Sequence, residues 1–129
     1  MEGSLILADT SVLIDHFRKQ DKSRSALFAL LEKNYRFSIS SITSYEIYVG
    51  VYSDQMEYWN SLLDKIIVFP FTDQTAKTAA TIDKELKKKR KQIAIPDLFI
   101  AATAIEHELP VYTLNKKHFE RIDRLNLLD

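Results

Sequence analysis

Short apolar runs alternate along the chain with longer stretches in which apolar side chains recur at helical spacing. The apolar runs have the length of buried β-strands and cover residues 4–8, 37–41, 66–69 and 111–113. The helical spacing predicts α-helices over residues 10–18, 26–31, 43–52, 59–63, 72–91 and 96–107. A last apolar stretch, residues 125–128, has the length of an edge strand.

The order of these elements indicates an α/β fold. Strands that alternate with helices form parallel pairs with right-handed crossovers, and the helices then cover both faces of the sheet. We therefore predict a three-layer α/β/α sandwich around a central, mostly parallel sheet of four to five strands. At 129 residues the chain is long enough for one hydrophobic core, so we expect a single domain over residues 1–129.

Composition restricts the classes of function. The absence of cysteine excludes disulfides, zinc–thiolate sites and thiol catalysis. No apolar run approaches the roughly 18 residues that a membrane helix needs, and no signal-peptide pattern precedes the first run, so we expect a cytoplasmic protein with no membrane association. Lys plus Arg equals Asp plus Glu, at 18 each, so any affinity for nucleic acid has to come from local clusters of cations.

Three separated acids stand where apolar runs give way to helices. Asp9 ends the first run, Glu46 lies in the helix after the second run, and Asp97 lies at the start of the helix before the fourth run. Because groups at the carboxyl ends of parallel strands converge on one crevice, these acids are expected to meet in space. Carboxylates that share a crevice favour a divalent cation, and a set without thiolates or paired histidines suits Mg²⁺ or Mn²⁺ better than Zn²⁺.

Each acid also has a purely structural interpretation. Asp9 precedes a helix and is a typical N-cap residue. Glu46 stands three residues after Thr43, which fits a capping box, and Asp97 follows Pro96 in a first helical turn, where the helix dipole favours an acid. The combination of all three favours a metal-dependent nuclease, in which Thr10 and Ser11 would help to orient a water molecule or a phosphate, although both residues also suit a helix cap.

Four segments together resemble a known family. They are residues 9–15 (DTSVLID), 41–46 (SITSYE), 97–104 (DLFIAATA) and 113–115 (TLN). In this order the segments resemble the PIN domain, specifically VapC-type toxins of type II toxin–antitoxin systems, and the resemblance extends from about Leu5 to Leu128. It implies a Mg²⁺- or Mn²⁺-dependent endoribonuclease that is neutralised by a cognate VapB-like antitoxin, with Asp9, Glu46 and Asp97 as the catalytic, metal-binding acids.

The last segment departs from the family pattern. Members often carry a further acid two residues after the threonine or just before the phenylalanine, and this chain has Asn115 and His118 there, after Thr113. Because Asn115 offers an oxygen without negative charge, we expect one well-held metal ion rather than a pair. The departure also leaves open a non-catalytic or stand-alone PIN module that binds RNA or protein. A phosphoryl-transfer domain fits poorly, since no Gly-rich phosphate loop is present.

Local clusters of cations provide candidate contacts to RNA phosphates. The candidates come from the run at 84–91 and from the region after the last predicted strand: Lys88, Lys89, Arg90, Lys91, Lys116 and Lys117. The run at 84–91 could equally be a solvated helix end whose cations complement the helix dipole, and the sequence supports both interpretations to the same degree.

Other side chains suggest surface contacts. Tyr48, Tyr52 and Trp59 would form an exposed aromatic strip, and on this basis we expect a homodimer. Asp15 and Lys19 have the spacing of an ion pair on a helix surface.

Overall fold

The computed structural model describes residues 3–129, which form a parallel four-stranded sheet with helices on both faces. The strands are β1 (Leu5–Ala8), β2 (Arg36–Ser40), β3 (Ile67–Phe69) and β4 (Val111–Tyr112). Their order in the sheet is β3-β2-β1-β4, and every pair is parallel. The predicted fold class is confirmed.

Seven α-helices connect and cover the strands within this described part. They are α1 (Thr10–Arg18), α2 (Ala26–Glu32), α3 (Ser41–Gly50), α4 (Met56–Leu63), α5 (Asp73–Lys88), α6 (Ile95–Glu106) and α7 (Lys116–Phe119). Short 3₁₀ turns at Lys22–Arg24 and Ser53–Gln55 precede α2 and α4. None of the helices within residues 3–129 is both long and apolar enough to cross a membrane.

Two hydrophobic clusters lie on opposite faces of the sheet, and β1 contributes to both. Ile6 and Ala8 pack with the first four helices, whereas Leu7 packs with α5 and α6. All three side chains are fully buried. Because successive side chains of a strand point to opposite faces, a strand covered on both sides has to be apolar at every position. This accounts for the uninterrupted apolar run that precedes Asp9.

The tail differs from its prediction as an edge strand. Residues 125–128 contribute one isolated parallel bridge, between Leu127 and Val111. The backbone N–H of Leu128 donates to the carbonyl oxygen of Val111 at 2.9 Å, and that of Val111 donates to Asn126 at 2.9 Å. The tail therefore covers the outer edge of β4 without extending as a regular fifth strand.

The predicted exposed aromatic strip is wrong at Trp59. Its side chain is fully buried and meets Phe17 edge to face, with ring centroids 5.5 Å apart. Trp59 lies on the face of α4 that packs towards α1, where Tyr58 also reaches the His16 ring at 2.7 Å. Tyr48 and Tyr52 are exposed, at 42% and 77%, so these two side chains alone carry the prediction of a dimer interface.

Three helices end in the same way without glycine. Asn34, Arg90 and Glu108 follow α2, α5 and α6 with φ angles of 66°, 55° and 55°. After each of them the chain turns back, and the next backbone N–H bonds to a carbonyl in the last helical turn, as Leu109 does to Ala104 at 2.9 Å. The turn at Arg90 also explains why α5 ends at Lys88 instead of reaching the predicted Lys91.

The left-handed conformation at Glu108 yields a prediction about stability. Glu108→Gly should raise the free energy of unfolding by about 1 kcal/mol, because glycine adopts this conformation without strain and an acid at a helix C-terminus is unfavourable. Urea denaturation measures the difference. Glu108→Ala is the matched control, since it removes the charge but keeps a Cβ atom. A glycine variant no more stable than the alanine variant would contradict the explanation.

Candidate active site

The three acids of the sequence analysis line a single cavity of about 620 Å³ at the carboxyl ends of the strands. Asp9 reaches it from the residue after β1, Glu46 from α3 and Asp97 from the first turn of α6. The other lining residues are Thr10, Ser11, Ile14, Asp15, Arg18, Lys19, Leu114, Asn115 and His118. Parallel pairing of the strands thus brings together residues that lie far apart in sequence.

Asp9 combines a structural role with its place in the cavity. It is the N-cap of α1, and its Oδ1 accepts a hydrogen bond from the Val12 backbone N–H at 3.4 Å. Two hydroxyls also donate to it, Ser11 to Oδ1 at 2.5 Å and Thr113 to Oδ2 at 2.6 Å. The side chain is only 3% exposed. Burial raises the pKa of the Asp9 carboxyl above its usual range, while the three hydrogen bonds oppose the rise and the charge of Asp97 adds to it.

Glu46 has no capping role, so the predicted capping box is wrong. The helix α3 begins at Ser41, and the hydroxyl of Ser40 accepts the hydrogen bond from the Thr43 backbone N–H at 3.3 Å. Glu46 therefore lies beyond the first turn of the helix. Its Oε1 accepts a hydrogen bond from the Thr10 hydroxyl at 2.6 Å, which orients the carboxylate across the gap between α3 and α1.

Asp97 and the loop after β4 complete the cavity. The Asp97 Oδ2 atom lies 3.1 Å from Nδ1 of His118, and Pro96 precedes it in the first turn of α6, which begins one residue earlier than predicted, at Ile95. The Ser11 hydroxyl accepts a hydrogen bond from the backbone N–H of Leu114 at 3.0 Å, and the Thr113 hydroxyl accepts one from the backbone N–H of Asn115 at 2.9 Å. The supporting residues predicted from the sequence thus tie this loop to Asp9.

Comparison with known proteins agrees with this architecture. The sequence profile of the PIN domain matches residues 6–125. The chain belongs to the PIN-domain family. Its relatives include Ribonuclease VapC1 of Methanocaldococcus jannaschii, which is 35% identical over 127 residues, or 98% of this chain and 87% of the relative.

Solved structures similar to this PIN domain come from toxin–antitoxin systems. One is VapBC2 from Rickettsia felis bound to a DNA fragment from their promoter, with 26% identity, a TM-score of 0.79 and coverage of 96% of this chain and 97% of the other. Another is a toxin–antitoxin complex from Klebsiella pneumoniae, with 30% identity, a TM-score of 0.76 and coverage of 93% and 94%.

The charges around the cavity of this PIN domain suit a divalent cation. Among the ion pairs within residues 3–129, none joins a lysine or arginine to Asp9, Glu46 or Asp97; the one partner is His118, on Asp97. A buried carboxylate without a cationic partner is costly, and hard oxygen donors are those that Mg²⁺ and Mn²⁺ prefer.

The spacing of the acids limits how such a cation would be held. Within the same residues no three acidic or histidine side chains lie close enough together to hold an ion directly. Mg²⁺ commonly keeps several water ligands and uses one or two protein carboxylates, so the residues present fit an ion of this kind.

The helix α1 supplies three residues of the cavity that the sequence analysis did not associate with it: Ile14, Asp15 and Arg18. Asp15 forms the predicted ion pair with Lys19 at 3.5 Å, and its Oδ2 also accepts the Ala26 backbone N–H at 2.9 Å, where α2 begins. Arg18 lines the cavity as well. The signal for Arg18 was its spacing of four residues from Ile14 and seven from Ser11, which places all three on one face of α1.

The predicted RNA-binding cations lie outside this cavity. Lys88 is the last residue of α5, and Lys89, Arg90 and Lys91 follow it. Lys89 pairs with Asp123 at 2.9 Å. Lys116 and Lys117 line a neighbouring cavity of about 510 Å³ that shares His118 with the main one. Lys116 also pairs with Asp129 at 3.3 Å.

The raised pKa of Asp9 yields a prediction about stability and pH. In chelator, Asp9→Asn should be more stable than the wild type at pH 7, because asparagine still caps the helix but carries no buried charge. A raised pKa in the folded state means that stability is lost as the pH rises from below the unfolded value of 3.8 through the folded pKa. The advantage of the variant should therefore disappear below pH 3.8.

Urea denaturation at several pH values in chelator measures this difference. Asp73→Asn is the control, because Asp73 is an exposed acid at the start of α5 whose ion-pair partner within residues 3–129 is Lys77. An Asp9→Asn variant less stable than the wild type at pH 7 would show that the carboxylate is stabilising without a cation.

Proposed function

We propose that this PIN domain is a divalent-cation-dependent endoribonuclease and the toxin of a type II toxin–antitoxin pair. The observation that carries the proposal is the convergence of Asp9, Glu46 and Asp97 on one cavity, where no lysine or arginine of the described residues forms an ion pair with any of the three. Family membership agrees with it, since relatives over nearly the whole chain are named Ribonuclease VapC.

The chain's own residues divide the work of such a site. Asp9, Asp97 and Glu46 would hold the cation, one or two of them directly and the rest through its water ligands. Asp9 is fixed by Ser11 and Thr113, and Glu46 is fixed by Thr10. These hydrogen bonds keep the carboxylates oriented before substrate arrives, which is the main protein contribution to electrostatic catalysis. When bound, Mg²⁺ or Mn²⁺ would activate water for attack on the phosphodiester and stabilise the leaving oxygen.

We further propose a single well-held ion. Asn115 lines the cavity where relatives often carry an acid, and His118 is already engaged with Asp97. Neither adds the negative charge that would bring a second divalent ion close to the first.

The partner that we propose is a VapB-like antitoxin. Solved structures similar to this chain are of VapBC2 from Rickettsia felis and of a toxin–antitoxin complex from Klebsiella pneumoniae. A homodimer remains part of the proposal, supported by the exposed side chains of Tyr48 on α3 and Tyr52 just after it.

Cleavage of RNA tests the proposed activity. The purified chain should cut cellular RNA in Mg²⁺ or Mn²⁺, and Asp9→Asn or Asp97→Asn should lower the rate by roughly a thousandfold, because each removes a charge that holds the ion. Asp73→Asn, on the surface, should cut as the wild type does. Equal cutting by all four proteins would show that the observed activity does not come from this cavity.

Cation binding tests the proposed site separately from its activity. Titration of the metal-free chain with Mn²⁺, followed by the electron paramagnetic resonance of the free ion, should reveal one tight site that Asp97→Asn weakens by at least about tenfold. Two equally tight ions would contradict the single-ion proposal. Ion and RNA binding without any cleavage would favour the non-catalytic PIN module.

A further inference from the structure

Three cavities meet at His118. The first is the main cavity of the candidate active site, and the second is the one beside Lys116 and Lys117. The third, of about 260 Å³, is called the side cavity here and is lined by Gln92, Ile93, Ala94, Asp97, His118 and Arg121. It lies between the loop before α6 and the segment after α7, and it shares Asp97 and His118 with the main cavity. Any molecule bound in the side cavity would therefore lie beside the candidate catalytic acids.

Arg121 gives the side cavity one fixed cation. Its Nη1 donates to the backbone carbonyl of Gln92 at 3.0 Å, which holds the guanidinium against the loop before α6. Within the described chain it forms no ion pair, whereas Lys89 and Lys116 are engaged by Asp123 and Asp129. A guanidinium has five N–H donors in a rigid fork, so the remaining donors are available to a phosphate.

The rest of the lining differs from that of the main cavity. Ile93 and Ala94 give the side cavity an apolar wall, and Asp97 is its one acid. The main cavity contains four acids and two cations, Arg18 and Lys19, so acids outnumber cations there and its lining is less favourable to a second phosphate. An apolar wall with one cation opposite a shared acid suits a nucleoside whose phosphate faces Arg121.

We propose that the side cavity is a subsite for the nucleotide next to the scissile phosphate, and that Arg121 contacts the backbone phosphate of that nucleotide. This inference rests on the proposed ribonuclease function and deepens it by assigning a nucleotide subsite and the residue that contacts its phosphate. In a duplex each base stays stacked and paired, whereas an unpaired nucleotide can turn into a cavity beside the strand.

The experiment compares two arginines that lie three residues apart. Arg121→Gln removes the cation but keeps a side-chain donor for the Gln92 carbonyl. Arg124→Gln removes the same charge from an exposed position that lines none of the three cavities. For a single-stranded RNA oligonucleotide, Arg121→Gln should raise KM roughly tenfold with little change in kcat, whereas Arg124→Gln should change neither by more than about twofold.

Binding without cleavage isolates the phosphate contact. In chelator, fluorescence anisotropy of a labelled single-stranded RNA should give a roughly tenfold weaker Kd for Arg121→Gln. The slope of log Kd against the logarithm of the salt concentration should also become smaller by about 0.7, as expected for the loss of one phosphate contact to a single strand. Arg121→Lys should restore part of the affinity, because it keeps the charge but not the fork.

The length of the RNA locates the contact. For a mapped cleavage site, oligonucleotides are extended one nucleotide at a time on either side of the cut bond. The nucleotide that fills the side cavity should lower KM for the wild type and for Arg124→Gln, but not for Arg121→Gln. The proposal would be overturned if the added nucleotide lowered KM equally in all three proteins. It would also be overturned if the wild type bound a duplex of the same sequence as tightly as the single strand.

The two levels of inference fail in different ways. If no RNA is cut under any cation, the proposed ribonuclease function fails, and the chelator experiment still tests whether Arg121 contacts single-stranded RNA. If RNA is cut normally and the Arg121 and Arg124 variants behave alike, the subsite alone is wrong. Thermal unfolding of both variants shows whether a loss of affinity reflects a loss of folding.

Discussion

The side chain of Asp9 makes the hydrogen bonds that link the fold to the candidate site. It caps α1, it accepts hydrogen bonds from the hydroxyls of Ser11 and Thr113, and it faces the cavity at the end of β1. Through Thr113 it also fixes the loop that follows β4, so the outer strand of the sheet and the central strand share one polar anchor. The residue that caps the first helix therefore also positions the loop after β4, which lines the candidate site.

This arrangement has an energetic cost. Burial raises the pKa of the Asp9 carboxyl, and Asp97 across the cavity adds to that effect. The hydroxyl and N–H donors reduce the cost without removing it, because none of them carries a charge. A bound cation would offset the cost of burying this charge, so the same carboxylate would affect both the stability of the fold and the binding of the cation. Such local conflicts are expected at functional sites and are compensated elsewhere in the fold.

Elsewhere the chain ends several helices without glycine. It contains only 2 glycines, yet α2, α5 and α6 all end in a left-handed residue, at Asn34, Arg90 and Glu108. The turn at Arg90 starts the loop that leads to Gln92 and the side cavity, and Arg121 holds that loop through the Gln92 carbonyl. The geometry of a helix end thus shapes the surface beside the candidate active site.

The sequence by itself determined the order along the chain of the four strands and of every helix except the short α7, because the spacing of apolar residues is a local property that burial on both faces of a sheet imposes. It also identified the three acids, since each stands at the boundary of an element. Local patterns failed where a side chain had two possible environments. Glu46 matched a capping box, but the helix starts at Ser41, which leaves the carboxylate free to meet Thr10. Trp59 matched an exposed strip, but α4 turns it into the core.

Only the tertiary structure decided which groups meet, because those contacts depend on strand order and helix packing and not on neighbouring residues. The bond from Thr113 to Asp9 spans 104 positions, and the pair of His118 and Asp97 spans 21. In the sequence Arg18 looks like an ordinary surface cation and Arg121 is one of several cations after the last predicted strand that could contact phosphate. The fold places each of them in the lining of one of two adjoining cavities. A sequence pattern shows which chemical groups are available, whereas packing determines which of them share a cavity.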